Sequence, residues 1–132
     1  MVKISPAVNA DRRTRRSEDT RTALAYQLDH VRDEAALEAL VLADDAGLPL
    51  ATSGDTQICA ELAALAPIAA RHQFVPQGTR FESGFVHVHP VRFDGVELFL
   101  ASCSDSLADV WSARIETWLA EAQHGVTRIL AA

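Results

Sequence analysis

Lysine is nearly absent from this chain of 132 residues, which has Lys3 alone beside 11 arginines. The body of the fold therefore offers no lysine for a phosphate-binding loop, a Schiff base or a Ser-Lys dyad. The six glycines stand apart from one another, so no G-x-G-x-x-G fingerprint exists, and the G-x-S-x-G nucleophile motif is missing too. These absences exclude large classes of enzyme and favour a binding module with no catalytic residue and no cofactor.

Cysteine and signal-like apolar segments are scarce as well. The two cysteines, Cys59 and Cys103, have no disulfide-framework spacing, and residues 1–16 contain no apolar stretch of the kind found in a signal peptide. A cytoplasmic protein is therefore the expectation. With 48% apolar and 23% charged residues, the chain has the composition of one soluble globular domain.

Charge is divided unevenly along the chain. Residues 1–16 hold five basic residues against Asp11, which is +4, so the net charge of −6 leaves −10 for residues 17–132. A body this acidic argues against nucleic-acid binding. We expect a basic, flexible tail over 1–16 and a single domain over 17–132. The tail either contacts an anionic lipid surface or an acidic partner, or is a solvated, mobile end; its arginines are Arg12, Arg13, Arg15 and Arg16.

Three segments have the hydrophobic spacing of helices, at residues 17–35, at 56–72 and from 106 onward. Pro67 is expected to kink the second helix or to end its regular part near residue 65, because proline removes a backbone donor. Gly125 is expected to end or weaken the third helix.

Two β-hairpins alternate with these helices. The first surrounds an Asp/Gly turn at residues 44–47, and its first strand is apolar on both faces, which predicts a sheet covered on both sides. The second contains the Asp94-Gly95 dipeptide that type I′ turns prefer. This turn sets Arg92 opposite Glu97, and the pairing of opposite charges supports the register. Residues 79–82 are a candidate for one more short strand.

The second helix is apolar around most of its circumference and must therefore be buried on two sides. One stripe can face the sheet. The other consists only of small side chains, which either let a second subunit approach closely, or are covered by another helix of the same chain, or reflect the helix propensity of alanine. The small-residue stripe comprises Cys59, Ala63, Ala66 and Ala70.

His87 and His89 occupy alternate positions of a predicted strand, so both imidazoles lie on one face. Two imidazoles can begin a metal site, but such a site needs a third ligand, and Glu97 lies on the opposite face in the predicted register. The pair is therefore either two partly buried strand residues or the centre of a small-ligand or metal sensor. No other metal ligands are predicted.

The hairpin over residues 40–54 contains the pattern Asp-x-x-Gly-Leu-Pro at 44–49 and leads into the Ala- and Leu-rich helix at 60–66. This arrangement resembles the Roadblock/dynein light-chain family, and the likeness covers about residues 20–130. The resemblance implies a profilin-like α+β fold with a five-stranded antiparallel sheet. It also implies that the first and last helices lie on one face of the sheet and the middle helix on the other.

The resemblance further implies a function. Members of the family form homodimers or heterodimers through the middle helix and the neighbouring strand. Bacterial members of the mutual gliding protein B type are non-catalytic partners of Ras-like small GTPases and can stimulate GTP hydrolysis, while eukaryotic relatives are dynein light chains or scaffold subunits on lysosomes. The chain is thus expected to be a bacterial, homodimeric regulator or scaffold of a small GTPase. The implied subunit contact comprises Cys59, Ala63, Ala66, Ala70, Phe81 and Phe85.

Overall fold

The computed structural model of the chain describes residues 6–72, 81, 85–104 and 112–132, with side chains described from residue 18 onward except at 85 and 112–116. Three helices and four strands make up the described part, which confirms the α+β class. In chain order they are α1 (Pro6–Ala35), β1 (Ala39–Ala43), β2 (Pro49–Gly54), α2 (Thr56–His72), β3 (Phe85–Phe93), β4 (Val96–Ser104) and α3 (Ser112–Ala131).

The four strands form one sheet in the order β2-β1-β4-β3, and every neighbouring pair is antiparallel. β1 and β4 are therefore central, and β2 and β3 are the edges within the described residues. The fifth strand of the expected sheet is not confirmed. Its candidate, 79–82, lies outside the described residues except for Phe81, which is in a turn.

The sheet is covered on both faces, as the doubly apolar first strand predicted. All five residues of β1 are buried. Leu40 and Leu42 belong to a core shared with α1 and α3, whereas Val41 belongs to a second core shared with α2. Successive side chains of a strand point to opposite faces, so the two cores lie on opposite sides of the sheet. The expected layers, α1 and α3 on one face and α2 on the other, are confirmed.

Both hairpins follow from local turn chemistry. In the β1–β2 turn, Oδ1 of Asp44 accepts hydrogen bonds from the backbone nitrogens of Ala46 and Leu48, each at 2.9 Å. In the β3–β4 turn, Asp94 and Gly95 have φ values of 51° and 78°, the positive pair that a type I′ turn requires. The predicted register of this hairpin, including Arg92 opposite Glu97, is confirmed.

The first helix starts eleven residues before the predicted boundary at 17, because α1 begins at Pro6. Residues 6–16 contain no glycine, and arginine has a high helix propensity. Pro6 stands in the first turn, where a missing N–H costs no helical hydrogen bond. The backbone of the expected tail is therefore helical from residue 6, while its side chains lie outside the described ones. The division of the chain into a tail and a domain at residue 16 stays a prediction.

Neither predicted helix breaker ends its helix. α2 continues through Pro67 to His72, and Pro67 is buried together with Leu65, Ala66 and Ala69, so tertiary packing offsets the lost donor. α3 continues through Gly125 to its last turn. A Cβ on Gly125 would lie 2.4 Å from Cδ of Gln27 in α1, so the end of this flexible side chain occupies the space that the glycine leaves open between α1 and α3.

Candidate protein-interaction surface

The start of α2 is held by the segment that connects it to β2. Oδ1 of Asp55 accepts hydrogen bonds from the backbone nitrogens of Gln57 and Ile58, both at 3.0 Å, which satisfies donors that the helix itself leaves unpaired. Asp55 is therefore the N-cap of α2. The capping residue lies between the end of β2 at Gly54 and the start of α2 at Thr56.

The small-residue stripe of α2 faces the sheet of its own chain. Cys59, Ala63 and Ala66 have 0% exposure and belong to the core between α2 and the strands. This corrects the prediction that these three residues form the subunit contact, because a side chain with no exposed surface in the single chain cannot touch a partner. Their small size instead lets α2 lie close to the sheet.

The three other residues of the predicted contact are placed differently. Phe81 is only 5% exposed and belongs to the same core as the stripe, so it also has little surface for a partner. Ala70 is partly buried at the margin of that core. Phe85 begins β3 at a sheet edge, and its side chain lies outside the described ones. For Ala70 and Phe85 the interface role stays a prediction.

The opposite side of α2 carries a line of exposed residues, which we call the outer stripe. Its spacing follows the helical repeat, and its middle is small or apolar: Ile68 is 43% exposed and Ala64 is exposed too. The β1–β2 turn touches the helix here, since a Cβ on Gly47 would lie 3.1 Å from Cα of Ala64, and the next residue, Leu48, is 61% exposed. The outer stripe comprises Gln57, Ala60, Ala64, Ile68 and Arg71.

A polar link joins α1 to the edge strand β2. The buried hydroxyl of Ser53 donates a hydrogen bond to Oδ1 of Asp29 and accepts one from Nε of Arg32 at 2.8 Å. Sequence reasoning missed this link, because Asp29 and Arg32 fall outside the apolar stripe of α1 and lie more than twenty positions from Ser53. The signal in the sequence was weak, because Ser53 stands next to a second polar residue, Thr52, in the same short strand.

Replacing Ser53 with alanine is expected to destabilise the domain by about 1–3 kcal/mol, because its buried hydroxyl makes hydrogen bonds to two charged groups, those of Asp29 and Arg32. Urea denaturation followed by tryptophan fluorescence measures the change. Thr52→Ala is the matched control, since Thr52 is exposed on the same strand, and its effect is expected within about 0.5 kcal/mol. Equal losses of unfolding free energy in the two variants would show that the polar link does not stabilise the domain.

The two strand histidines lie on the face covered by α1 and α3. His89 pairs with the buried Leu100, and its Nε2 is 2.5 Å from Oε1 of Gln123 in α3. Glu97 points to the other face, as predicted. Among the described residues no group of three or more His, Cys, Asp and Glu side chains could hold a metal ion. His87 and His89 therefore remain a pair without a third ligand in the described part of the chain.

The cysteines are buried core residues. Burial raises the pKa of the Cys59 thiol above its ordinary value, and Sγ donates a hydrogen bond to the carbonyl oxygen of Ser53 at 3.4 Å. A thiol held in its protonated form is a poor nucleophile. Cys103 is 4% exposed in the same core.

No helix in the described part of the chain is long and apolar enough to cross a membrane.

The chain is similar to known proteins in structure but has no match by sequence. No family model matches the sequence. No curated protein matches it either. Three solved chains match the structure, and one of them is Myxococcus xanthus MglB, with a TM-score of 0.52 and 15% sequence identity over 83% of this chain and 89% of that chain. A likeness at this identity shows a shared fold, so the chain has a Roadblock/MglB-like fold.

Proposed function

We propose that this chain is a non-enzymatic, homodimeric regulator or scaffold that binds a Ras-like small GTPase or a related signalling protein. The observation that carries the proposal is the fold shared with MglB over 83% of the chain. The Asp-x-x-Gly-Leu-Pro hairpin at 44–49 supports it independently, because it is the pattern by which the sequence resembles a family containing partners of small GTPases.

The chain is suited to act on a nucleotide-binding partner and not on nucleotide itself. The sequence has no glycine-rich phosphate loop, and its one lysine is Lys3. Two of its reactive groups take part in the fold: the thiol of Cys59 lies in the core, and the hydroxyl of Ser53 joins α1 to β2. Any effect on GTP hydrolysis would therefore arise at the active site of the GTPase.

Self-association of this chain would use the outer stripe of α2, because the inner side of the helix is already covered by the sheet. The stripe is symmetric about Ala64, with Ala60 and Ile68 each four residues away. In an isologous two-fold pair centred on Ala64, Ala60 therefore faces Ile68 of the partner subunit. A large side chain then meets a small one, and two helix backbones can approach closely.

The ends of the outer stripe fit the same arrangement. Gln57 and Arg71 are each seven residues from Ala64, so a two-fold pair sets Gln57 opposite Arg71 of the partner subunit. An amide carbonyl can accept from a guanidinium, and no two like charges of the stripe meet. The homodimer is thus compatible with the chemistry along the whole outer stripe.

The metal-sensor alternative gains no support from the described residues. His89 is held against Gln123, and no third ligand joins it and His87 in the described part of the chain.

Titration with a purified Ras-like small GTPase from the same source tests the proposal. We expect the Kd to differ at least tenfold between the GDP-bound GTPase and the GTPase loaded with a non-hydrolysable GTP analogue. This corresponds to a difference of about 1.4 kcal/mol in binding free energy. A single-turnover assay of GTP hydrolysis then separates a regulator, which changes the rate, from a scaffold, which leaves it unchanged. Absence of binding to every such GTPase in both nucleotide states contradicts the proposal.

A further inference from the structure

A polar cleft lies between α1 and α3, on the face of the sheet opposite α2. Its volume is about 430 Å³, which falls in the range typical of small-molecule sites. One side of the cleft is formed by Gln27 of α1, and the other is formed by four residues of α3: Glu121, His124, Gly125 and Arg128. The side chains of all these residues belong to the described part of the chain. Pairing through the outer stripe of α2 would leave the cleft open.

The floor of the cleft is Gly125, which is buried inside a helix, where glycine is less favourable than alanine. A Cβ on this glycine would lie 2.4 Å from both Cδ and Nε2 of Gln27 and 2.8 Å from its Oε1. The whole amide group of Gln27 therefore occupies the space that the glycine leaves open. Because Gln27 is only partly buried and lines the cleft, its amide is a hydrogen-bonding group at the cleft floor.

Charges of opposite sign mark the two ends of the cleft. Glu121 and Arg128 are exposed and seven residues apart on one side of α3, so they are separated by about 10.5 Å along the helix axis. No ion pair joins them in the described part of the chain. His124 lies between them, one turn from each. The cleft thus offers a carboxylate at one end, a guanidinium at the other, and an imidazole and an amide in between.

The charges of the cleft select the class of ligand. A multiply charged anion such as phosphate would be repelled by Glu121 and by the net charge of −10 on residues 17–132. A metal ion is a poor match, because no group of three or more His, Cys, Asp and Glu among the described side chains could hold one. A molecule with a carboxylate at one end and an ammonium group at the other meets both charged groups of the cleft at once.

We propose that the cleft between α1 and α3 binds a small zwitterion, with its carboxylate on Arg128 and its ammonium group on Glu121. A guanidinium presents N–H donors in a fork that matches a carboxylate, and the carboxylate of Glu121 accepts hydrogen bonds from an ammonium group. The amide of Gln27 and the imidazole of His124 hydrogen-bond to polar groups between the two ends of the ligand. Both charged contacts are made by exposed side chains, so binding is weak, with a Kd on the order of 1 mM.

Titration of the full chain with the dipeptide glycylglycine, followed by NMR, tests the site. The backbone N–H signal of Gly125 reports on the cleft floor, and we expect it to shift with a Kd on the order of 1 mM. N-acetylglycylglycine lacks the ammonium group and glycylglycine amide lacks the carboxylate, so each is expected to bind roughly fivefold more weakly. The absence of a shift with about 20 mM glycylglycine, or equal Kd values for the three probes, overturns the proposal.

Substitutions of exposed residues identify the group that binds each end of the dipeptide. Arg128→Gln is expected to weaken the binding of glycylglycine roughly fivefold without weakening that of glycylglycine amide, which has no carboxylate. Glu121→Gln is likewise expected to weaken the binding of glycylglycine without weakening that of N-acetylglycylglycine. Arg92→Gln and Glu97→Gln are the matched controls, because both residues are exposed on the opposite face of the sheet. Equal effects of the cleft and control variants contradict the proposal, and the result does not depend on whether the chain binds a GTPase.

Discussion

Replacing Ala63 with glutamate is expected to unfold the domain, whereas the same change at the neighbouring Ala64 is expected to leave it folded. Ala63 has 0% exposure in the core between α2 and the sheet. A larger side chain there costs about 1–3 kcal/mol in overpacking, and burial of an unpaired carboxylate adds several more. The total approaches the 5–15 kcal/mol that typically separates folded and unfolded states. Ala64 lies on the exposed outer stripe and meets neither cost.

Circular dichroism during thermal unfolding measures the first effect, and light scattering after size-exclusion chromatography measures the second. Ala63→Glu is expected to lose its cooperative transition. Ala64→Glu is expected to keep a melting temperature close to the wild type while its mass in high salt falls from two copies to one. A folded, monomeric Ala63→Glu variant would contradict the burial of Ala63 and support its placement at a subunit contact.

Replacing Gly54 with alanine is expected to cost about 3 kcal/mol or more, because two effects coincide at this position. Gly54 has a φ of +116°, which side chains of L-residues rarely adopt. A Cβ there would also lie 2.7 Å from the carbonyl oxygen of Glu38 and 3.1 Å from Cα of Ala39. Both contacts are with backbone at the start of β1, so relief requires the central strand to move.

Gly95→Ala is the matched control. Gly95 also has a positive φ, +78°, but a Cβ there has no heavy atom within 4 Å. The Gly95→Ala change is therefore expected to lower the free energy of unfolding by about 1 kcal/mol, from backbone strain alone. Urea denaturation of both variants measures the difference in their free energies of unfolding. Equal losses of unfolding free energy would show that the close approach of Gly54 to β1 does not add to the cost.

The hairpins were predictable from the sequence because their causes are local. The turn at Asp94 and Gly95 needs two residues that tolerate positive φ, and a two-residue turn then determines the register of both strands. The doubly apolar first strand likewise predicted two covered faces. The cap at Asp55 depends on groups within three residues of it.

Features that depend on tertiary packing were not predictable in the same way. The spacing of apolar residues in α2 indicated that its small-residue stripe is buried. A pattern of alanines does not show whether the stripe packs against the sheet of the same chain or against a helix of another subunit. The helix also passes through Pro67, because burial of its neighbours outweighs the lost hydrogen bond. The link from Ser53 to Asp29 and Arg32 joins residues too distant in sequence for periodicity to reveal.

The placement of the interaction surface on α2 stays a prediction, whereas the buried part of the small-residue stripe lies on the side of α2 that faces the sheet. Resemblance to a family implies that α2 pairs with a second subunit, and the exposure of Ala64 and Ile68 is the reason for proposing its outer side. The spacing of these residues was visible in the sequence. Whether these residues are exposed, however, depends on which side of α2 the sheet covers.

The mass of the complex with a purified Ras-like small GTPase tests the central claim most directly. The GTPase, loaded with a non-hydrolysable GTP analogue, is mixed with this chain and separated by size-exclusion chromatography with light scattering in high salt. We expect a complex containing two chains of 14.3 kDa together with the GTPase. Two separate peaks with the masses of the free proteins, at concentrations of tens of micromolar and in both nucleotide states, would contradict it.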